Sequence, residues 1–258
     1  MKEQTNHRVS NDELTCSNCI VQTAAHIVKV GDVDNDGKNE IISTMSSPLE
    51  LQNQNEISFI NIYKKNKGRW QSYLIDRLTN REFRSITIGD IYNSGKNVMV
   101  IGIGSPRNEK GSLFAYEYKN DKWDKTIIHN DGEEKNMKGV AIGNIYNNGK
   151  KQTLLATGFP DAKIKIFDWN GNGFTVQEIG SISQLFPKSD SEYNSMAAIL
   201  DLNDKNKNII IAGTETFPKQ KIGWEGSNKG FLIKYTMKNN IRTSMILDRN
   251  NLLGMDFN

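Results

Sequence analysis

The sequence predicts an all-β fold: a β-propeller built from four-stranded antiparallel blades, about four of them complete and a fifth begun. Three observations predict it. An acidic turn recurs roughly every 55 residues, a proline follows each turn at a fixed distance, and four short strand-like runs fill each interval. Aligned on the first acidic position, the repeats start at Asp32, Asp90, Asn144, Asp201 and Asp256, which are 58, 54, 57 and 55 residues apart. Pro48, Pro106, Pro160 and Pro218 lie 16, 16, 16 and 17 residues after the first four markers.

The best-furnished turn runs Gly31-Asp32-Val33-Asp34-Asn35-Asp36-Gly37-Lys38-Asn39-Glu40. Asp32, Asp34 and Asp36 stand at positions 1, 3 and 5. Lys38 stands at position 7, where a backbone carbonyl would serve, and Glu40 at position 9. Hard oxygen donors at alternate positions, with Gly37 at the sharp bend, suit one Ca²⁺ better than Mg²⁺, which prefers a near-octahedral, water-rich shell. An EF-hand would need helical flanks and a glutamate at position 12; position 12 is Ser43 and the flanks read as strands. The competing reading is an Asx-rich hairpin without an ion. Mutual repulsion of the close carboxylates favours a cation.

Each repeat then reads as four strands. The first covers residues 27–30, 85–88, 139–142 and 196–200, and the second 40–44, 98–103, 153–157 and 208–212. The third, at 57–63, 112–118, 163–168 and 231–236, alternates apolar and polar residues as a half-buried strand does. The fourth covers 70–75, 123–128, 174–179 and 242–247. Trp70, Trp123 and Phe174 open it, and packing against a neighbouring sheet is expected of them. A lone four-stranded unit cannot bury both faces, so such units stack radially into a propeller.

These residues give the chain a resemblance to the FG-GAP/VCBS repeat family, the calcium-loop β-propellers also found in integrin α-subunits. The resemblance spans residues 24–258 and leaves 1–23 as an N-terminal segment. Its specific part is the stretch from Asp32 to Glu40, which follows the family's D-x-D-x-D-G-x-x-acid pattern. It implies a ring of about seven blades, with Ca²⁺ held by Asp32, Asp34, Asp36, Lys38 and Glu40. A protein or glycan ligand would then bind on the face opposite the calcium loop. The later turns depart from the pattern. Tyr92 and Tyr146 take position 3, Val98 and Gln152 take position 9, and the fourth turn places Lys205, Lys207 and Ile209 where ligands belong. The sequence stops inside the fifth acidic turn, so a longer propeller is expected. The alternative is a small ring completed by residues 1–23 or by the last strand.

Other function classes find less support. A net charge of +3 speaks against a nucleic-acid binder. The basic clusters, Lys64-Lys65 with Lys67 and Arg69, and Lys150-Lys151, fall in expected turns and read as solvated surface. No apolar run approaches the ~18 residues of a membrane span. The family resemblance suggests an extracytoplasmic setting, although the N-terminus shows no secretory signal and there is no N-x-Ser/Thr acceptor. Cys16 and Cys19 form a lone C-x-x-C that reads as an incidental or local pair rather than a zinc or redox site. No catalytic constellation is found: His7, His26 and His129 are scattered, and no nucleophile elbow occurs. The expected function is a non-catalytic, calcium-stabilised interaction module. The alternative is an accessory or scaffold domain of a carbohydrate-active enzyme, a lyase or hydrolase. Phe186, Phe217 and Trp224, on the longest expected loops, are candidate ligand anchors, the alternative being that they fold back over the blade.

Overall fold

The computed structural model describes residues 24–46, 57–104, 111–130, 137–157, 163–181, 191–202, 207–218, 229–238 and 241–251, with the backbone alone over most of 191–251. Every regular element among them is a strand. Four antiparallel sheets follow one another, each with its strands in sequence order. Sheet 1 holds β1 (Ala24–Gly31), β2 (Glu40–Ser46), β3 (Ile57–Asn66) and β4 (Arg69–Thr79). Sheet 2 holds β5 (Glu82–Gly89), β6 (Val98–Gly104), β7 (Ser112–Lys119) and β8 (Lys122–His129). Sheet 3 holds β9 (Met137–Gly143), β10 (Gln152–Thr157), β11 (Lys163–Trp169) and β12 (Phe174–Ser181). Sheet 4 holds β13 (Ser191–Leu202), β14 (Lys207–Pro218), β15 (Lys229–Lys238) and β16 (Ile241–Asn251).

The strand types follow from their apolar patterns. β6 is an unbroken run of apolar residues and glycine, and β10 has an apolar centre, residues 154–156, between Gln152-Thr153 and Thr157; both are buried along their whole length, as strands covered on both faces must be. β3 alternates, with Ser58, Ile60 and Ile62 inward. The fourth strands β4 and β8 are largely exposed. One buried cluster joins Val33, Ile42, Ile60 and Ile62 of the first unit to Phe83, Ile86, Met99 and Tyr116 of the second. Another joins Ile91, Val98, Val100 and Leu113 of the second to Leu155 and Phe167 of the third. Sheet 1 thus shares its core with sheet 2, and sheet 2 with sheet 3.

Three contacts recur between successive units. The glycine ahead of the first and second acidic turns lets the next sheet's first strand approach: a Cβ on Gly31 would lie 2.9 Å from Ile88, and one on Gly89 would lie 3.1 Å from Ile142. In the first two turns an asparagine in the left-handed region at position 4 clasps the next unit's backbone. Asn35 accepts from the Asn97 amide at 2.7 Å and donates to the Asn97 carbonyl at 3.1 Å, and Asn93 accepts from the Lys151 amide at 2.8 Å. Finally, in the first three units the residue six after the aromatic that opens the fourth strand (Asp76 after Trp70, His129 after Trp123, Gly180 after Phe174) receives a third-strand aromatic of the next unit. Asp76 accepts from Tyr116 at 2.6 Å, the His129 and Phe167 rings lie 5.2 Å apart, and a Cβ on Gly180 would meet the Tyr235 hydroxyl at 2.8 Å.

Some expectations need correcting. The strands of sheet 4 are longer than the sequence suggested. Residues 191–194 pair with 215–218, so Phe217 lies on a strand rather than a loop, and Pro218 closes that strand. Phe186, Trp224, Pro48, Pro106, Pro160, Cys16 and Cys19 lie outside the described residues. Of the aromatics that open fourth strands, Phe174 packs on Tyr92 of the preceding sheet and Trp123 joins the core shared by sheets 1 and 2. Trp70, however, is 51% exposed, because no described sheet precedes sheet 1 to supply the matching surface.

Candidate functional site

The acidic turn joins β1 to β2 and is shaped by its own side chains. Both oxygens of Asp32 accept backbone amides, from Asp36 at 3.1 Å and from Gly37 at 3.0 Å. Asp34 accepts from the Asp36 amide at 3.3 Å, and Asp36 accepts from the Lys38 amide at 2.8 Å. Gly37 takes φ of 84°, which a β-carbon would oppose. Val33, at position 2, is fully buried and pins the turn to the core. Its amide donates to Glu40 at 3.1 Å across the base of the loop.

This wrapping brings one carboxylate oxygen each from Asp32, Asp34 and Glu40 within 4.8 Å of one another. Asp36 stands apart from the trio, exposed and engaged by both the amide and the ammonium of Lys38. Three oxygen donors with no nitrogen or sulfur among them suit a hard divalent cation, with water or backbone oxygen completing a shell of about 6–8. Glu40 is 2% exposed. Loss of hydration pushes its carboxyl above the ordinary range, the Asp34 charge adds to this, and the Val33 amide opposes it. A bound cation would reverse that balance. The Lys38 amide holds the exposed Asp36 below the ordinary range.

The sequence reading missed one participant. Lys64 was grouped with solvated turn residues, yet it belongs to β3, and its ammonium pairs directly with Asp34. Burial pushes the Lys64 ammonium down, but the Asp34 hydrogen bond and charge outweigh it and leave the group above its ordinary value. The signal was available once strands 2 and 3 were registered: Ile41 pairs with Tyr63, so Lys64 falls opposite Glu40.

The second and third turns keep the backbone and change the chemistry. Asn93 and Asn147 repeat the left-handed φ of Asn35, and Gly95 and Gly149 repeat that of Gly37. Asp90 accepts from the Ser94 and Gly95 amides, as Asp32 does from Asp36 and Gly37. In the third unit Gln152 replaces Glu40. Its carbonyl accepts from the Ile145 amide at 2.9 Å, and its amide donates to Asp168 at 3.1 Å. Asp168 occupies the register position held by Lys64, because Thr153 pairs with Phe167. The third turn is therefore closed by a neutral amide. In the fourth turn, residues 203–206 lie outside the described residues.

A cleft of about 610 Å³ opens where the degenerate second turn meets sheet 3, lined by Tyr92, Trp169 and Phe174 together with Glu117, Lys119 and Asn172. Tyr92 meets Trp169 edge-on at 5.0 Å, and Trp169 meets Phe174 at 5.1 Å. Glu117 pairs with Lys119 at 2.6 Å. Burial raises the Tyr92 hydroxyl, with the Glu117 charge adding to it. The cleft lies at the acidic-turn end of the sheets. The opposite end, where a partner was expected, is built largely from connections outside the described residues.

Fold and site together define a class: a serial array of four-stranded antiparallel sheets whose first interstrand turn carries a carboxylate cluster. No protein-family model matches the chain, and no curated protein matches it. Among the described residues no helix is long and apolar enough to cross a membrane.

Proposed function

We propose that the chain is a calcium-stabilised β-propeller of the FG-GAP/VCBS type, acting without catalysis as a binding module in an extracytoplasmic setting. The observation that carries the reading is the convergence of Asp32, Asp34 and Glu40 in the first turn. The recurring intersheet contacts support a radial array, because one contact set repeated between identical units is what a propeller requires. In this reading the ion locks the first turn, which clasps unit 2 through Asn35 and Asn97, and so stiffens the platform that presents the ligand.

Of the two ligand classes, the cleft favours a glycan over a protein. Its aromatic wall offers apolar faces to sugar C–H groups, and the neutralised Glu117–Lys119 pair offers both an acceptor and a donor to hydroxyls. The test is a glycan array with and without calcium, followed by titration of any hit against Trp169→Ala. The expected result is saccharide binding that weakens on chelation and is lost in the variant. Binding that survives Trp169→Ala unchanged counts against the cleft, and an array without hits, tested beside a protein-capture screen that succeeds, counts against the glycan reading.

A further inference from the structure

Lys64 is held on three sides. Its ammonium pairs with Asp34, whose side chain is only 5% exposed. It lies 5.0 Å from the centroid of the Tyr118 ring, supplied by sheet 2, and cross-strand register sets it beside buried Glu40. The position is complementary in the third unit as well, where Asp168 faces the amide of Gln152. In the first and third units the residue opposite position 9 thus answers the chemistry of the turn.

In the first unit that answer is a positive charge placed on one of the carboxylates a divalent ion would use. A calcium ion must approach a carboxylate oxygen to about 2.3–2.6 Å. Asp34 has one oxygen on the Asp36 amide and the other on the Lys64 ammonium. Both cations cannot share that second oxygen, because like charges at such separations repel strongly in a partly buried site. We infer that Lys64 is a tethered counter-cation of the acidic turn, which a divalent ion must displace from Asp34 in order to bind. The inference rests on the calcium reading above and adds a threshold to it. Because the competitor is covalently attached, it is present at high effective concentration whatever the surrounding salt. The turn therefore keeps its shape in low calcium and changes occupant, not fold, as calcium rises.

The experiment uses the full chain and its Lys64→Met and Lys64→Arg variants, with calcium chloride titrated by calorimetry and melting temperatures measured in EDTA and in calcium. Lys64→Met is expected to bind calcium more tightly than the parent by about tenfold or more, to melt lower in EDTA, and to recover the difference in calcium. Lys64→Arg is expected to follow the parent. In the parent itself, acetylation of Lys64 read by mass spectrometry should speed up as calcium binds, which keeps the idea testable if Lys64→Met does not fold. Equal calcium affinity in parent and Lys64→Met, or an acetylation rate indifferent to bound calcium, overturns the inference and leaves the calcium reading standing. Absence of calcium binding in every variant overturns both.

Discussion

The hydroxyl of Tyr116 donates to Asp76 across the boundary between sheets 1 and 2 at 2.6 Å, and the ammonium of Lys125 reaches the same carboxylate oxygen at 2.7 Å. Tyr116 is 1% exposed. Burial raises its hydroxyl far above the ordinary phenol range, and the Asp76 charge raises it further, so it serves only as a donor. Lys125 also lies 4.3 Å from the centroid of the Phe114 ring. A partly buried carboxylate, a buried phenol and a ring-bound ammonium form one unit.

Removing Asp76 should therefore cost more than removing the Tyr116 hydroxyl. Asp76→Ala strands the buried phenol and is expected to lose about 2 kcal/mol, whereas Tyr116→Phe leaves Asp76 its lysine and loses about 1 kcal/mol. Urea denaturation of the two variants and of the double variant measures the coupling. Strictly additive losses would show that the pair does not act together.

The asparagine clasp makes a separable prediction at Asn35, whose φ is 62°. Asn35→Gly keeps the left-handed backbone and loses only the two bonds to Asn97, whereas Asn35→Ala loses both the bonds and the conformation. The glycine variant should fall by about 1–2 kcal/mol and the alanine variant by about 1 kcal/mol more. Chemical denaturation midpoints rank them, and equal losses would mean that the turn conformation carries no strain.

Gly102 sits where sheets 2 and 3 touch. A Cβ there would lie 2.4 Å from Ser85 Oγ and 2.5 Å from the Met137 carbonyl oxygen, and Ser85 already donates to that carbonyl at 2.8 Å. Because backbone cannot swing aside as a side-chain tip can, Gly102→Ala should destabilise by about 3 kcal/mol or more. Gly31→Ala meets only the end of Ile88 and should cost about 1 kcal/mol. Melting curves of the two variants test the ordering.

Glu40 predicts a pH dependence. Its folded pKa is raised above the unfolded value near 4.5, so its stabilising contribution is complete below that value and is lost as pH rises through the folded pKa. In EDTA, Glu40→Gln should remove this loss. It should be more stable than the parent by about 1 kcal/mol at pH 7, with the advantage vanishing near pH 4. With calcium the order should reverse, because the variant lacks a ligand. Denaturation at both pH values, in chelator and in calcium, gives the four numbers needed. A variant weaker than the parent in EDTA at pH 7 would show that the carboxylate is stabilised by Lys64 more than burial costs it.

Most of the strands were legible because two simple signals agree. Period-two alternation in β3 and the apolar run of β6 mark strands, and Asx-Gly turns mark their ends. The convergence of Asp32, Asp34 and Glu40 was legible because it is local, set within one turn. Asp36 and the Lys38 carbonyl were expected beside them; Asp36 lies outside the converging trio, bonded to the amide and ammonium of Lys38, two residues on. Lys64, by contrast, reaches the turn from 30 residues away, and only strand register places it there. Trp70 illustrates the same limit. It has the same position within its unit as Phe174, but its exposure depends on what lies before sheet 1, which no local pattern encodes.

The aromatic seats at the sheet boundaries also fix the order in which the units can be joined. Gly31, Gly89 and the asparagine clasps use backbone or a common isoleucine, so they would fit any neighbour. The seats would not: Asp76 needs a hydroxyl and finds it in Tyr116, His129 receives the plain ring of Phe167, and Gly180 leaves room for the oxygen of Tyr235. Excising the second unit would set Asp76 against Phe167, a carboxylate facing a ring with nothing to donate. The chain is thus a keyed sequence whose modules look alike and cannot be shuffled.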